Sequence, residues 1–470
     1  MRRLARFAGA ERMRPLILSQ READAVRLLP DPASYYAFLR EQIRLAKRSI
    51  TLSALYLGSG ALETALVGDL RAALLSSLSL KATVILDHSR AQRSSASLAE
   101  LVDEFGPERF KLLLYQMPQL RGLPSKWLPS QLCEVLGVYH CKFSIFDGNV
   151  LLTGANLSEE YFVDRQDRYL FFPRQADSTD GASVASFLLA FANTVEPHCH
   201  RVLSGSKIRP PEEGTANGSS ETALRKLRVE LESLVLEKET LASSAASPGV
   251  AGAVLLPLLQ HAPAGLRLES SLLPRLLHAL APDCQRAAAA SPYPTFPPSL
   301  ASALIAALGP CKGSVLVSSL PSHGFARGTG FKALLPAMHL RTVNSALATT
   351  GPGSAASAVK VLHYSRPGWT FHAKGFWLWL APSSQAQTKQ AEPSVVSYVG
   401  SSNLGRRSWG RDLELGFVLS IGPGRLAQSL TREYEALDGY AKPEAGPGPG
   451  MTGALGVVVS LLARALRGFM

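Results

Sequence analysis

Cysteines and membrane-spanning runs are scarce in this 470-residue chain. Its five cysteines form no Cys-x-x-Cys pair, which favours a reducing compartment and free thiols over a disulfide framework or a zinc finger. His198-Cys199-His200 contains metal-binding residue types, but adjacent side chains do not all face one ion, and we predict no metal site. The apolar segment 451–470 carries two arginines. An interfacial helix, or a helix packed on the domain, is therefore favoured there over a membrane span.

Acidic residues are also in deficit. Lys and Arg number 49 against 37 Asp and Glu, a formal net charge of +12. Such a charge favours an anionic partner, which leaves nucleic acid, an acidic membrane surface and a phosphorylated substrate open. Residues 1–20 hold five arginines and one acid, and they lack the apolar segment of a secretory signal. This composition is typical of a mitochondrial transit peptide or of a disordered basic tail.

What the chain does contain is a polar set at the ends of two apolar strands. Residues 138–153 indicate two buried strands joined by the tight turn Asp147-Gly148-Asn149. His140 and Lys142 lie two residues apart, so on a strand their side chains share one face. Asn156 follows where the second strand gives way to a loop. An imidazole, an ammonium and a carboxamide at one sheet edge suit a phosphate ester.

The same pattern recurs downstream at His372, Lys374 and Asn403. Asn156 lies 16 residues after His140, whereas Asn403 lies 31 after His372, and the difference matches a Gln/Ser-rich stretch at 381–394 that we predict to be an inserted loop. An acid follows each asparagine by 11 residues. These acids, Asp167 and Glu414, are each placed to hydrogen-bond a histidine Nδ1 and fix its tautomer.

These residues resemble the phospholipase D superfamily, whose motif is His-x-Lys-x4-Asp with a downstream asparagine. The first copy matches at His140, Lys142 and Asp147, but Trp379 stands where the second aspartate would be. Further stretches are similar to the eukaryotic phosphatidylglycerophosphate synthases (CDP-diacylglycerol–glycerol-3-phosphate 3-phosphatidyltransferases), namely 57–63, 118–123, 154–158, 165–169 and 368–375. The similarity spans most of 30–440 and is poor at 200–310. That family also has a degenerate second motif.

The resemblance implies transfer of the phosphatidyl group from CDP-diacylglycerol to sn-glycerol 3-phosphate through a phosphatidyl-histidine, with release of CMP. This is the committed step toward phosphatidylglycerol and cardiolipin. It implies that His140 is the nucleophile and His372 the acid/base, that Lys142 and Lys374 bind the phosphoryl oxygens, and that Asp147 holds its strand and turn. Supporting or phosphate-binding roles are implied for Asn156, Asn403, Asp167 and Glu414. Five flanking arginines are candidates to recognise phosphate or diphosphate: Arg165, Arg168, Arg406, Arg407 and Arg411.

The two substrates and an anionic membrane surface are thus the expected partners, with no nucleic acid, no cofactor and no metal, because two lysines supply the positive charge. Oligomeric state is left open. The resemblance also favours a mitochondrial protein, peripherally associated with the inner membrane.

The predicted fold class is α/β, with two phospholipase D-like halves in a pseudo-two-fold arrangement and the active site between them. We predict a basic N-terminal segment (1–25), a first domain (26–203), a linker or insertion (204–246), a second domain (247–440) and a C-terminal tail (441–470). The strand–helix–strand order at 49–87 predicts a mainly parallel sheet with helical cover. Over 250–320 we expect apolar helices and one strand, at 314–319.

One further site stays open beside its structural alternative. Gly58-Ser59-Gly60 opens a helix and could hold a nucleotide phosphate, but it lacks the Gly-Lys-Ser/Thr ending of a P-loop, so a plain turn is favoured.

Three alternatives to the synthase reading remain. A sister phosphatidyltransferase (cardiolipin or phosphatidylserine synthase) would share the catalytic set. A nucleic-acid phosphodiesterase would show aromatics stacked along a basic groove, whereas most aromatics here lie within apolar runs. A non-catalytic scaffold would not need the intact set.

Overall fold

The computed structural model describes residues 2–91, 96–120, 136–175, 183–211, 220–237, 251–311, 313–347, 359–381, 393–443 and 453–466. The strands are β1 (Leu16–Ser19), β2 (Arg27–Leu28), β3 (Ser49–Ser53), β4 (Lys81–Asp87), β5 (Phe110–Tyr115), β6 (Phe143–Phe146), β7 (Asn149–Thr153), β8 (Arg165–Gln166), β9 (Tyr169–Phe172), β10 (Cys199–Leu203), β11 (Lys207–Arg209), β12 (Ala251–His261), β13 (Leu266–Arg267), β14 (Cys284–Ser291), β15 (Ser314–Ser318), β16 (Lys360–Tyr364), β17 (Thr370–Phe371), β18 (Gly375–Leu380), β19 (Ser394–Gly400), β20 (Glu414–Ile421) and β21 (Ala441–Pro443). The α-helices span Arg2–Ala10, Gln20–Ala25, Pro32–Leu45, Ala61–Ser76, His88–Ala91, Ala96–Phe105, Glu159–Val163, Val184–Val195, Ser220–Val235, Leu268–Leu280, Pro298–Leu308, Leu335–Leu347, Arg406–Gly410, Arg425–Asp438 and Gly453–Ala465.

Two large sheets repeat one strand order. The first sheet runs β11-β10-β5-β4-β3-β6-β7-β9-β2. The second, written in the opposite direction, runs β21-β16-β15-β14-β18-β19-β20-β12-β1. The stretch β5-β4-β3-β6-β7-β9 thus corresponds to β16-β15-β14-β18-β19-β20. In each, three parallel strands (β3–β5; β14–β16) adjoin three antiparallel ones (β6, β7, β9; β18–β20). The chain is thus α/β, as predicted, but the sheets are mixed. The prediction of a mainly parallel sheet is wrong because the motif-bearing strands return through hairpins rather than crossover helices.

The first motif hairpin is fixed by its turn. Asp147 and Gly148 both have positive φ, 52° and 95°, the backbone of a tight two-residue hairpin that glycine and aspartate favour. The Asp147 carboxylate also accepts the backbone N–H groups of Lys47, Arg48 and Ser49 at 2.7–2.9 Å. This ties the hairpin to the start of β3. In the second half, Trp379 instead donates its indole N–H to Thr431 Oγ1 at 2.8 Å.

The region 250–320, where apolar helices and one strand were expected, also contains the long strands β12 and β14. β12 is leucine-rich and β14 contains Ala287–290, and both residue types favour helices in isolation. β12 nevertheless pairs with β20 along eight residues, and β14 lies between β15 and β18. Burial and ladder hydrogen bonds in the sheet therefore override local propensity.

The halves share a continuous core. Phe187 of the first half meets Phe417 of the second with ring centroids 5.6 Å apart. The buried Arg168 guanidinium, 1% exposed, pairs with Glu433 of the second half at 2.7 Å and lies 4.1 Å over the Trp377 ring. Arg168 is thus a structural cross-link between the halves rather than a surface cation.

The predicted terminal and linker segments contain folded elements. Within 1–25, β1 forms the edge of the second sheet through β12, and Leu4, Ala8 and Met13 are buried. Within 204–246, β11 extends the first sheet, and the helix Ser220–Val235 packs against Val184–Val195. Most of the predicted loop at 381–394 lies outside the described residues.

The C-terminal helix Gly453–Ala465 packs against Leu335–Leu347 through Val459 and Ala463. No helix within the described residues is long and apolar enough to cross a membrane.

Candidate active site

Two short parallel ladders cross between the halves and position both histidines. Tyr139 pairs in parallel with Leu413, and the strand Thr370–Phe371 pairs in parallel with Arg165–Gln166. The backbone N–H of His140 donates to Leu413 O at 2.9 Å, and that of His372 donates to Gln166 O at 2.8 Å. Each ladder therefore brings the histidine of one half beside the acid of the other.

The first cluster joins His140 to Glu414. Nδ1 of His140 lies 2.9 Å from Glu414 Oε2, and Ser401 donates its hydroxyl to the same carboxylate. Lys142 donates its ammonium to the carbonyl oxygen of His140 at 2.7 Å. The His140 side chain is 10% exposed, so its ring edge reaches the surface of the site. Glu414 fixes the tautomer that leaves the Nε2 lone pair free.

The second cluster joins His372 to Asp167 more tightly. Nδ1 of His372 lies 2.6 Å from Asp167 Oδ2, and Lys374 Nζ lies 2.9 Å from the same oxygen and 2.6 Å from Nδ1. On the other side of the ring, Tyr161 Oη lies 3.1 Å from Nε2. With Nδ1–H donated to Asp167, Nε2 accepts the Tyr161 hydroxyl. Both nitrogens of this histidine thus have partners.

The two asparagines add unpaired groups to the same region. The side-chain Oδ1 atoms of Asn156 and Asn403 are buried and, among the described residues, have no hydrogen-bond partner. Buried amides without partners are rare in native proteins. An amide drawn in either orientation could turn its N–H groups to a bound oxyanion. Both asparagines are therefore suited to bind a phosphoryl group.

Gly154 leaves room for the second lysine. A Cβ at this position would lie 2.4 Å from Lys374 Nζ and 2.7 Å from Asp167 Oδ1. Lys374 also donates to Gly154 O at 3.3 Å. The glycine before Asn156 is thus needed for the ammonium to reach its carboxylate.

Burial sets the charge state of the site. It holds the pKa of His140 and of His372 well below the ordinary value, helped by the neighbouring lysines, so both rings are neutral at pH 7. Burial raises the pKa of Glu414 to about 7, against the attraction of Lys142. It lowers the pKa of Lys142 to about 7, against the attraction of Glu414. Neutral imidazoles beside buried ammonium groups suit nucleophilic and base catalysis at a phosphate.

Asp147 and the turn Gly58-Ser59-Gly60 make contacts other than those of the two clusters. The Asp147 contacts described above all go to backbone amides near β3, and none goes to His140 or Lys142. Gly58 and Gly60 lie against carboxylates, because a Cβ on either would come within 3 Å of Glu63, and one on Gly60 would also meet Glu159. These negative charges oppose a phosphate there, and a phosphate-binding role for Gly58, Ser59 and Gly60 stays a prediction.

Sequence reasoning missed Tyr161 and Ser401, which add polar contacts to the two clusters. Nothing in the spacing of the motifs marks Tyr161, which lies on the short helix Glu159–Val163. Ser401 directly follows β19 beside Asn403, so the strand end was a usable signal. No group of three or more His, Cys, Asp or Glu side chains in the described ranges is arranged to hold a metal ion.

Known proteins resemble the chain over most of its length. No general protein-family model matches it. A mouse protein named mitochondrial CDP-diacylglycerol–glycerol-3-phosphate 3-phosphatidyltransferase is 30% identical over 439 residues, covering 88% of this chain and 77% of that protein. The chain belongs to this phosphatidyltransferase family. The yeast phosphatidyltransferase of the same name is 26% identical over 447 residues, covering 90% of this chain and 83% of its own length.

A solved structure shares the fold of the phosphatidyltransferase chain. A phosphatidylserine synthase of Haemophilus influenzae superposes with a TM-score of 0.70 at 19% identity, covering 99% of each chain. At this identity the likeness concerns the arrangement of the two sheets rather than the acceptor alcohol.

Proposed function

We propose that this phosphatidyltransferase moves the phosphatidyl group of CDP-diacylglycerol to glycerol 3-phosphate through a phosphatidyl-histidine, in a site between two pseudo-two-fold-related halves. One observation carries the proposal: each histidine bonds the acid of the other half, His140 to Glu414 and His372 to Asp167. The repeated strand order supports the pseudo-symmetry. The reaction is the one for which the family is named.

In the first step His140 is the nucleophile. Its Nε2 attacks the phosphorus next to diacylglycerol, a P–N bond forms, and the P–O bond to CMP breaks so that CMP leaves with the electron pair. Lys142 and Lys374 neutralise the equatorial oxygens, and Asn156 and Asn403 donate to them. CMP is a stable phosphate monoester anion and needs little protonation to depart.

In the second step His372 is the base. The acceptor hydroxyl gives its proton to Nε2 of His372 as its oxygen attacks phosphorus, and the P–N bond to His140 breaks. Asp167 stabilises the imidazolium formed. For this step Tyr161 must release Nε2, which it blocks in the free enzyme. The same contact makes His372 the poorer nucleophile of the two.

Trapping the covalent intermediate tests this assignment. The purified enzyme, mixed with lipid-labelled CDP-diacylglycerol without acceptor and quenched in milliseconds, should carry one acid-labile label per chain, mapped to His140. Added glycerol 3-phosphate should convert the label to phosphatidylglycerophosphate. A label mapped to His372 would reverse the roles, and absence of any label would indicate direct displacement.

The relatives' names and the C-terminal helix support a mitochondrial, membrane-peripheral enzyme. Val457 and Leu461, four residues apart, are each 60% exposed on the face of Gly453–Ala465 opposite the packed Val459 and Ala463. Such a helix is suited to lie in the membrane interface. The double variant V457E/L461E should lose co-sedimentation with vesicles containing anionic lipid. Retained co-sedimentation would assign membrane contact to another surface.

A further inference from the structure

We propose that Arg165 and Arg366 form the binding site for the phosphate of the acceptor, in a pocket lined by Thr370 of the strand that immediately precedes His372. This inference rests on the proposed function, because it names the part of the site that recognises a small phosphomonoester. It concerns a pocket separate from the His140 cluster, formed by residues of both halves.

The pocket has the size and lining of a small-anion site. Its volume is about 310 Å³, at the lower end of the roughly 300–1,000 Å³ of ligand pockets, and thus suits a small polar molecule better than a diacyl lipid. The lining includes three arginines, Arg165, Arg327 and Arg366, against two carboxylates, Glu160 and Asp164. Guanidinium groups bind phosphate by paired hydrogen bonds.

Arg165 lines the pocket with a largely buried side chain. Its side chain is 11% exposed and pairs with Glu160 at 2.7 Å, and its Nε donates to Thr370 Oγ1 at 3.1 Å. The guanidinium lies 4.9 Å from the Tyr161 ring. Glu160, which is 57% exposed, is the group that an incoming phosphate would replace. Arg366 is held by stacking on Trp369 and Tyr440, with centroid distances of 3.3 and 4.9 Å.

The register of the two paired strands places this pocket close to His372, the proposed general base. Arg165 pairs with Thr370, and Asp167 and His372 follow two residues later. Residues two apart on a strand share a face and lie about 7 Å apart. In glycerol 3-phosphate, five bonds of about 1.5 Å join phosphorus to the far hydroxyl oxygen, so the extended molecule spans about 6 Å. The side chains follow the same direction, because the Tyr161 ring lies 4.9 Å from the Arg165 guanidinium and its hydroxyl lies 3.1 Å from His372 Nε2. A phosphate at Arg165 would thus leave the far hydroxyl within reach of His372.

The other half lacks this feature. On the ladder that holds His140, the positions equivalent to Arg165 and Thr370 are Asp412 and Val138, two residues before Glu414 and His140. Asp412 is buried and accepts the backbone N–H of Val138 at 3.0 Å. Asp412 also pairs with Arg407 at 3.3 Å, so the positions of Arg165 and Thr370 are taken on the His140 side by a neutralised acid and a valine. We therefore place the acceptor phosphate on the His372 side, which is where the second step needs it.

The test uses R165Q and R366Q in the full-length detergent-solubilised enzyme, with R71Q as a matched control, since Arg71 pairs with Glu104 on the surface. Each lost charged contact is worth roughly 1.5–3 kcal/mol, so KM for glycerol 3-phosphate should rise about 10- to 100-fold in R165Q and less in R366Q. CMP release without acceptor, and transfer to unphosphorylated glycerol, should change less than about twofold. R71Q should match the wild type.

The other possible outcomes of these kinetic measurements each decide one specific question. An unchanged KM for glycerol 3-phosphate in both variants overturns the site. A raised KM for CDP-diacylglycerol instead would assign the pocket to the donor diphosphate, and would also overturn it. If R165Q fails to fold, R366Q decides, because its side chain lies at the half-exposed pocket mouth. Wild-type enzyme that releases CMP but never uses glycerol 3-phosphate would refute the proposed function rather than this inference.

Discussion

The two histidines are held by equivalent ladders but differ in what surrounds them. His140 has one partnered nitrogen and a ring 10% exposed, whereas His372 is 4% exposed and has partners on both nitrogens. Lys374 bonds directly to the acid of its cluster, whereas Lys142 bonds to a backbone carbonyl. In the proposed mechanism the more exposed His140 is therefore the nucleophile, and the more enclosed His372, beside a cationic pocket, is the base. The similar ladders place the two histidines, and the proposed difference in their roles rests on their unequal neighbours.

The largest expected effect comes from deleting either imidazole. H140A and H372A should each lower transfer by more than about 10³-fold, but they should fail at different steps. H372A should still release one equivalent of CMP and retain the phosphatidyl group, because the acceptor is no longer deprotonated. H140A should do neither. Quenched-flow measurement of CMP and of bound lipid separates them.

Circular dichroism of both histidine variants should match the wild type, since neither imidazole belongs to the hydrophobic clusters that pack the sheets. Equal CMP bursts from the two variants would remove the distinction between the halves.

The acids should show the next largest effect. E414Q removes the charge that orients His140 and should slow the first step by about 10- to 100-fold. D167N should cost more, because Asp167 also neutralises the buried Lys374, and an unpaired buried ammonium destabilises the fold. Melting temperature and single-turnover rates report the two effects separately. A D167N enzyme as stable as E414Q would contradict the role given to the Lys374–Asp167 pair.

The raised pKa of Glu414 also predicts how the rate of CMP release depends on pH. The pKa of Glu414 is raised to about 7 by burial, so its carboxylate gains a proton as the pH falls below that value and its charge is lost. The rate of CMP release in the wild type should therefore fall on the acid side of pH 7, and in E414Q this limb should flatten. An unchanged limb in E414Q would assign it to another group.

The sequence predicts which residues belong to the candidate site, but not that each histidine bonds the acid of the other half. His-x-Lys pairs, asparagines and acids were all identified from spacing alone, because each lies at a strand end whose apolar run is unmistakable. That Glu414 serves His140, and Asp167 serves His372, follows from ladders between segments about 200 residues or more apart in sequence. Local periodicity carries no information on such pairings.

Other features were hidden for different physical reasons. The alanine run of β14 reads as helix because propensity is local, while its burial between β15 and β18 is tertiary. Tyr161 looks like an ordinary residue of a short helix. Its significance comes only from the parallel ladder that places His372 beside it, whereas Arg165 was already a candidate to bind phosphate.

Two glycines that lie shortly before the site asparagines, Gly154 and Gly400, offer a sharper comparison. In G154A the new methyl meets the side-chain ends of Lys374 and Asp167, so activity should fall about tenfold or more while stability falls less than in G400A. In G400A it meets the backbone of Gly416 at 2.4 Å, so overpacking should cost about 1–3 kcal/mol of unfolding free energy. Denaturant titration beside turnover per folded enzyme resolves the two. Similar losses of stability in both variants would mean that Lys374 cannot shift.

The smallest expected effect on catalysis comes from the position at which the two motifs differ most, Asp147 against Trp379. D147A removes three backbone hydrogen bonds to the residues before β3 and should lower stability by about 1–2 kcal/mol. W379F removes one bond to Thr431 and should cost less. Neither change touches the histidine clusters, so turnover per folded molecule should stay within about twofold of wild type. A selective loss of CMP release in D147A, with stability intact, would instead give this carboxylate a part in the first chemical step. It would then make the aspartate of the first motif, rather than the exposure of His140, the reason that the halves differ.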